Sequence, residues 1–356
     1  MTTCYQLLST VTPELAHTAS DLTDRLENTR WLPAGSDDAA AALTLRFVDA
    51  WARWLEQEPG PSDGQSLLIP TSHGEAHVIR FVGHGKIPIL LIHGWPTSFL
   101  AFHRAIGPVR QMASEVVLAI LPGFGTAPAP KDGMAIAAIA GVLADAMMLL
   151  GHSRFIVHGQ DWGSVVARQI AVSFPDRVVG VHVSAGLQGF MADGPACGDS
   201  WRRLGAFADK GRGYLHFQSH RPDFLAVGLG DSPAGLLAWQ LDKYQLWQAS
   251  LGPDFGLGED FILANATFYW AAGSIGSSMR IYSENRDVPA APPSAVPTAV
   301  SVFGTGDFAC REVSMRENNL IAWYEHADGG HVAALDATDS FISDLSDFVN
   351  RMETVA

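Results

Sequence analysis

Hydrophobic positions change period along the chain, and each change predicts a different kind of element. Over residues 14–57, Leu15, Leu22 and Leu26, then Leu43, Phe47, Trp51 and Trp54, recur three to four apart. That spacing predicts two helices with LPAGS (32–36) as the turn between them. PGPSDGQ (59–65) reads as a loop, followed by strands near 66–70 and 76–82. From residue 87 the period shortens. The apolar runs IPILLI (87–92), VVLAIL (116–121), FIVHG (155–159) and VVGVHVSA (178–185) alternate with helical stretches at 97–111, 135–150 and 164–174. Wholly apolar strands alternating with helices predict a mostly parallel sheet covered on both faces. Residues 186–296 break this rhythm and hold 15 of the 34 aromatics, which predicts a largely helical insertion with an aromatic interior. Pro289, Pro292, Pro293 and Pro297 read as a linker; strands at 298–307 and 320–327 and a helix at 338–351 then resume the pattern.

The expected organisation is therefore a helical segment (1–65) read as packing without chemistry, an α/β core (66–185), an inserted helical lid (186–296) and a second core portion (297–356). Composition narrows the partners. Charged residues are 17% of the chain against about 25% in ordinary globular domains, and Lys+Arg 23 against Asp+Glu 37 leaves a net charge of −14. Such a chain is a poor ligand for nucleic acid or anionic lipid. Cys4, Cys197 and Cys310 form no C-x-x-C pair, so neither a disulfide framework nor a thiolate metal site is expected, and a reducing, cytoplasmic setting fits. The start, MTTCYQLLST, lacks the features of a signal peptide. Residues 134–150 are almost wholly apolar, yet Asp145 interrupts them and they are short for a span, so a buried helix is expected rather than a membrane segment. A homodimer is compatible with this composition.

The chemistry gathers at strand ends. His158-Gly159-Gln160-Asp161-Trp162-Gly163-Ser164 places small residues two before and two after Asp161, between a strand and a helix. This is the pattern of a sharp turn that lifts one side chain above the sheet, with Asp where Ser is usual. Helix capping is the plainer use of Asp161. Ser164 falls within the first helical turn and is no equivalent nucleophile. A carboxylate nucleophile leaves an ester, whose hydrolysis needs a base and an orienting acid. The order nucleophile, acid, His points to Asp307 after strand 298–307, with Glu312 as its rival, and to His331 in Gly329-Gly330-His331. His93-Gly94-Trp95-Pro96 follows the strand at 87–92, so the amides of Trp95 and Trp162 are the expected oxyanion donors. His93 is expected to serve structure and not to bind metal. PGFGTAP (122–128) has Pro128 where the third glycine of a dinucleotide fingerprint belongs, which excludes that cofactor.

These motifs, together with LTDRLENTRW, GYLHFQSHRPDFLAVGLGDSPAGLLAW, FYWAAGSIGSSMRIY and GGHVAALDATD, resemble the α/β-hydrolase epoxide hydrolases of the microsomal and juvenile-hormone type from about Leu22 to Phe348. The resemblance implies a soluble, cofactor-independent enzyme acting on an epoxide and water. It also implies two lid tyrosines facing the nucleophile, which by motif are Tyr214 and Tyr282. Asp307 stands where some relatives carry Glu, and Thr126-Ala127 replaces the Phe-Ser common after PGFG. A haloalkane or haloacid dehalogenase is the competing chemistry on the same Asp161, with Trp95 and Trp162 as halide donors. A non-catalytic ligand-binding relative is a third reading, disfavoured because every expected member of the catalytic set is present.

Overall fold

The computed structural model describes residues 3–12, 15–31, 39–57, 60, 62–248, 252–304 and 306–355. The expected turn at 32–36 and part of the loop at 59–65 lie outside them. Helices α1 (Cys4–Ser9), α2 (Leu15–Glu27) and α3 (Ala39–Leu55) precede the strands β1 (Gln65–Pro70), β2 (Glu75–Val82) and β3 (Ile87–Ile92). A 3-10 turn (Phe99–Phe102), α4 (Ile106–Met112), β4 (Ala113–Ile120), α5 (Ile136–Leu149), β5 (Phe155–Asp161), α6 (Trp162–Ser173) and β6 (Val178–Gly186) follow. A 3-10 turn at Pro195–Cys197 then leads into α7 (Gly198–His220), α8 (Pro222–Asp231), α9 (Pro233–Gln248), α10 (Glu259–Ala271) and α11 (Ile275–Asn285). The chain closes with β7 (Ser294–Val302), α12 (Arg311–Glu317), β8 (Asn318–Glu325), α13 (Ala333–Asp336) and α14 (Thr338–Val355).

The eight strands form one sheet in the order β1-β2-β4-β3-β5-β6-β7-β8, antiparallel over β1–β2–β4 and parallel thereafter. β5 and β6 are buried along their whole length, as strands sandwiched between helical layers must be. Helix α5 is the apolar stretch that invites comparison with a membrane span: nine of its residues, including Ile139, Leu143 and Met147, are buried, and the helix packs on α6 and on β1 and β2. Among the described residues no helix is long and apolar enough to cross a membrane.

Local chemistry explains where elements depart from the sequence pattern. The stretch 97–111 divides into a 3-10 turn, capped by Ser98 Oγ on the Leu100 amide, and the separate helix α4. Pro108 has no amide hydrogen and its ring would crowd a carbonyl one turn back, so it is tolerated only in the first turn of a new helix. Pro297, expected in a linker, lies within β7, where the register against β8 shifts between Ser294 and Pro297 and no ladder amide is needed. Helix α1 went unpredicted although Thr3 and Gln6 form a reciprocal capping box.

One expectation from the cysteine count is corrected. Cys197 and Cys310 form a disulfide with Cα atoms 5.5 Å apart, and Cys4 is a buried free thiol. The partners are 113 residues apart in sequence. The antiparallel bridge Met191↔Ala309 and the Cys310 amide on the Phe190 carbonyl bring the start of the helical insertion against the loop after β7. No local spacing encodes that meeting.

The N-terminal helices lie across the insertion. Trp51 Nε1 donates to Thr267 Oγ1 (2.8 Å), Trp54 Nε1 to Asp260 Oδ1 (2.9 Å), and the Cys4 amide to Asp260 Oδ2 (2.9 Å). With Phe47, Trp51 and Trp54 buried, this segment fixes α10, and through it the roof over the sheet's carboxyl edge.

Candidate active site

The bend between β5 and α6 is tight for a steric reason. A Cβ on Gly163 would strike the Ile92 carbonyl, and one on Gly159 would strike the Gly163 carbonyl, so only glycine lets the helix start this close to the sheet. Asp161, between them, is held at φ 54° and ψ −127°, a conformation a non-glycine residue adopts only when its surroundings impose it. Ser164 Oγ donates back to the Asp161 carbonyl and receives the Leu187 amide at 3.1 Å, which employs it in the bend itself.

Asp161 is 6% exposed. Its Oδ1 accepts the Trp95 amide at 2.9 Å, and its Oδ2 lies 3.2 Å from His331 Nε2. His331 Nδ1 in turn lies 2.8 Å from the Gly306 carbonyl, which fixes the ring with its hydrogen on Nδ1 and turns Nε2 toward Asp161. Burial pulls His331 down, but the hydrogen bond and charge of Asp161 outweigh it, and the net effect is a raised pKa. Trp247 packs on the imidazole with ring centres 4.4 Å apart.

Asp307 does not hydrogen-bond His331. Its carboxylate is 1% exposed and accepts three amides: Ala309 on Oδ1 (2.9 Å), and Ala185 (3.1 Å) and Phe303 (3.4 Å) on Oδ2. Burial raises its pKa, partly countered by those amides and by the nearby His331. The rival Glu312 is exposed in the first turn of α12.

Tyr214 on α7 and Tyr282 on α11 both reach the site and are buried. Tyr214 stacks on Trp95 (5.9 Å, 13° between planes), while Tyr282 meets Trp95 and Trp162 edge-on at 5.6 and 5.0 Å. Burial raises both phenols, and the charge of Asp161 raises them further, so both are full hydrogen-bond donors at neutral pH. Trp162 opens α6 next to Asp161. The Trp95 indole N–H is directed to Ser278 Oγ (3.3 Å), not to open space, which weakens it as a halide donor.

His93 is buried, bonded through Nδ1 to the Gly94 carbonyl (2.9 Å) and through Nε2 to the Leu121 amide (3.1 Å). Burial pushes it down to about 4, so it is a neutral brace for the loop. Among the described residues no group of three metal-ligating side chains converges.

These side chains border a cavity of about 570 Å³. Asp161, Trp162, Tyr214, Tyr282 and His331 face it from one end, and Leu187, Met191, Leu204, Phe207 and Phe308 add an apolar wall. Three contributors escaped the sequence reading. They are the Gly306 carbonyl, the ring of Trp247, and Asp336, whose Oδ1 receives the Gly330 amide (3.0 Å) beside His331. Only Asp336 left a trace, as an acid five positions beyond His331.

Residues 87–193 match the alpha/beta hydrolase fold family. A protein of Stigmatella aurantiaca named "Putative epoxide hydrolase" is 34% identical over 94% of this chain and 82% of its own length. The juvenile hormone epoxide hydrolase of Bombyx mori is 32% identical over 67% of this chain and 61% of its own length. The crystal structure of juvenile hormone epoxide hydrolase from that silkworm superposes with a TM-score of 0.80 at 24% identity, covering 95% and 93% of the two chains. Aspergillus niger epoxide hydrolase superposes with 0.81 at 23% identity, covering 95% and 94%, so the architecture is shared. The chain belongs to the epoxide hydrolases of the α/β-hydrolase fold.

Proposed function

We propose that this chain opens an epoxide to a vicinal diol through a covalent ester on Asp161. The observation that carries the reading is the contact of Asp161 Oδ2 with His331 Nε2 at the strained bend, under two buried phenols. The Asp161 carboxylate attacks an oxirane carbon, the C–O bond breaks, and the departing oxygen takes a proton from Tyr214 or Tyr282. Esterification removes the carboxylate charge that raises His331. Burial then weighs more heavily on the imidazole, against only the Gly306 carbonyl and the Asp307 charge, and the ring gives up its proton to the phenolate and becomes a neutral base. Water deprotonated by His331 attacks the ester carbonyl, and the amides of Trp95 and Trp162 receive the oxyanion. Collapse releases the diol as its alkoxide takes the proton back from His331; Asp161 is left as the acid with one oxygen from water, and it passes its proton to His331 Nε2 to restore the resting pair.

The apolar wall and the 570 Å³ volume favour a bulky apolar or aromatic epoxide. The test is a single turnover of styrene oxide with excess enzyme in oxygen-18 water. The expected result is unlabelled diol and one labelled oxygen in the peptide containing Asp161; label in the first-turnover diol refutes the covalent route. Asp161→Asn, checked for deamidation, is expected to form no ester. A panel of terminal, styrenyl and polycyclic epoxides then reads the substrate preference.

A further inference from the structure

The helical insertion buries a cation that the chemistry above leaves unused. Lys243 on α9 has a fully buried side chain, although Lys is among the residues least often buried. Its Nζ bonds Asp242, whose own side chain is 57% exposed, so the counter-ion sits toward solvent and the ammonium toward the interior. On the inner side the ammonium lies over two aromatic faces, 3.7 Å from the centre of Trp239 and 4.9 Å from that of Tyr214. Trp239 is itself fixed, its Nε1 donating to Gln218 Oε1 (2.9 Å) one turn along α7 from Tyr214. An apolar residue would fill this space without the desolvation penalty of a buried charge.

We propose that Lys243 is a positioning residue for epoxide opening, its ammonium orienting the Tyr214 ring and stabilising the negative charge that the phenol acquires as its proton passes to the oxirane oxygen. The inference rests on Tyr214 being a proton donor in the proposed reaction. A cation above an aromatic face is attracted by the ring's quadrupole, and the attraction grows as the ring gains negative charge. The benefit is therefore larger in the transition state than in the resting enzyme, as rate acceleration requires. It acts while the phenol is ionised, in ester formation and until His331 returns the proton. Ester hydrolysis runs through His331 and the amides, and Lys243 touches neither.

The experiment follows both half-reactions with styrene oxide by rapid quench, measuring ester on Asp161 and release of diol, in Lys243→Met, Lys243→Arg, Tyr214→Phe and the Lys243→Met/Tyr214→Phe double variant. Lys243→Met is expected to slow ester formation by roughly ten- to thirtyfold, the scale of a desolvated cation–aromatic contact, while ester hydrolysis stays within about threefold. Lys243→Arg is expected to restore most of the rate, because it keeps a cation over the rings. In the Tyr214→Phe background the Lys243→Met change is expected to add less than about threefold, since the group it acts through is gone. An equal effect in both backgrounds, or equal slowing of both half-reactions, overturns the inference. Should Tyr214→Phe alone leave ester formation unchanged, it is the reading of Tyr214 that fails. If Lys243→Met does not fold, Lys243→Gln, which keeps a long polar side chain beside Asp242 but carries no charge, gives the answer: it should slow ester formation by roughly tenfold, and a rate within about twofold of wild type overturns the inference.

Discussion

Replacing Asp307 by Asn separates two ways in which an acid can serve a histidine base. In a triad with direct contact, the carboxylate holds the imidazole hydrogen, and its loss costs about 10⁴ in rate through the wrong tautomer. Here the Gly306 carbonyl occupies Nδ1 at 2.8 Å, so the tautomer survives the substitution. What is lost is one negative charge near the imidazolium. That charge is the weakest of the influences raising His331, so its loss leaves a somewhat weaker base: hydrolysis of the ester should slow by no more than about tenfold, and ester formation should be nearly unaffected. The stability cost is a separate matter. The carboxylate accepts three amides through two oxygens, and Asn must turn an NH₂ toward at least one of them. A buried donor left without an acceptor costs about 1–3 kcal/mol. At about 2.1 cal/mol/K per residue over 356 residues, that is a fall in Tm of about 1–4 °C. Rapid-quench measurement of ester and diol, with differential scanning calorimetry, reads both quantities. A loss of about 10⁴ in ester hydrolysis with an unchanged Tm would refute the reasoning and place Asp307 in direct contact with His331 during turnover.

Other consequences follow from the same contacts. The Cys197–Cys310 disulfide spans 113 residues, a separation for which chain entropy allows up to about 5 kcal/mol and native disulfides commonly return 2–4 kcal/mol. Cys197→Ser with Cys310→Ser should lower Tm by about 3–5 °C in calorimetry, and a thiol reductant should lower the wild-type value by the same amount while leaving the variant unmoved. Burial pushes the Asp336 carboxyl up to about 6, against an ordinary 3.8, with the Gly330 amide opposing it. The folded chain thus holds this proton more tightly than the unfolded chain. The group's favourable contribution is complete below pH 3.8 and is lost as pH rises to about 6, an effect of about 3 kcal/mol. Asp336→Asn keeps an acceptor for Gly330 and should therefore stabilise the protein by about 1–3 kcal/mol at pH 8 and by almost nothing at pH 4, read from urea unfolding at the two pH values. A gain of equal size at both would mean that ionisation is not the cause.

What could be read along the chain was whatever is written in local sequence. The core strands were legible because a strand buried on both faces must be apolar throughout, and its boundary falls where Gly, Pro or charge appears. The bend at Asp161 was legible because the collisions that Cβ atoms would make at positions 159 and 163 demand two glycines at fixed spacing around it. The capping box of α1 was equally local, in Thr3 and Gln6, and was overlooked. Other features had no local signature. Nothing near Asp307 says that its oxygens will be taken up by three amides, from β6, from the residue after β7 and from its own loop, and nothing near Gly306 marks its carbonyl as the partner of an imidazole 25 residues on. The meeting of Cys197 with Cys310 is likewise a product of where the insertion leaves and rejoins the sheet.

This division has a physical source that bears on how the site works. A strand or a bend is decided by sterics over a few residues, whereas the protonation of His331 is decided by burial and by the charged and polar groups around it, which only the assembled molecule brings together. In the resting pair, burial pulls His331 down, but the hydrogen bond and charge of Asp161, with the Gly306 carbonyl and the Asp307 charge, together raise it and favour the imidazolium. Once the Asp161 charge is spent in an ester, the same burial favours the neutral imidazole. On the proposed route the site needs no moving part to turn His331 from the partner of a nucleophile into the base that activates water, because formation of the covalent bond would remove the Asp161 charge that helps to hold the proton in place. The prerequisite is that His331 stays buried apart from its face on the cavity, and Trp247 against the ring helps to keep it so.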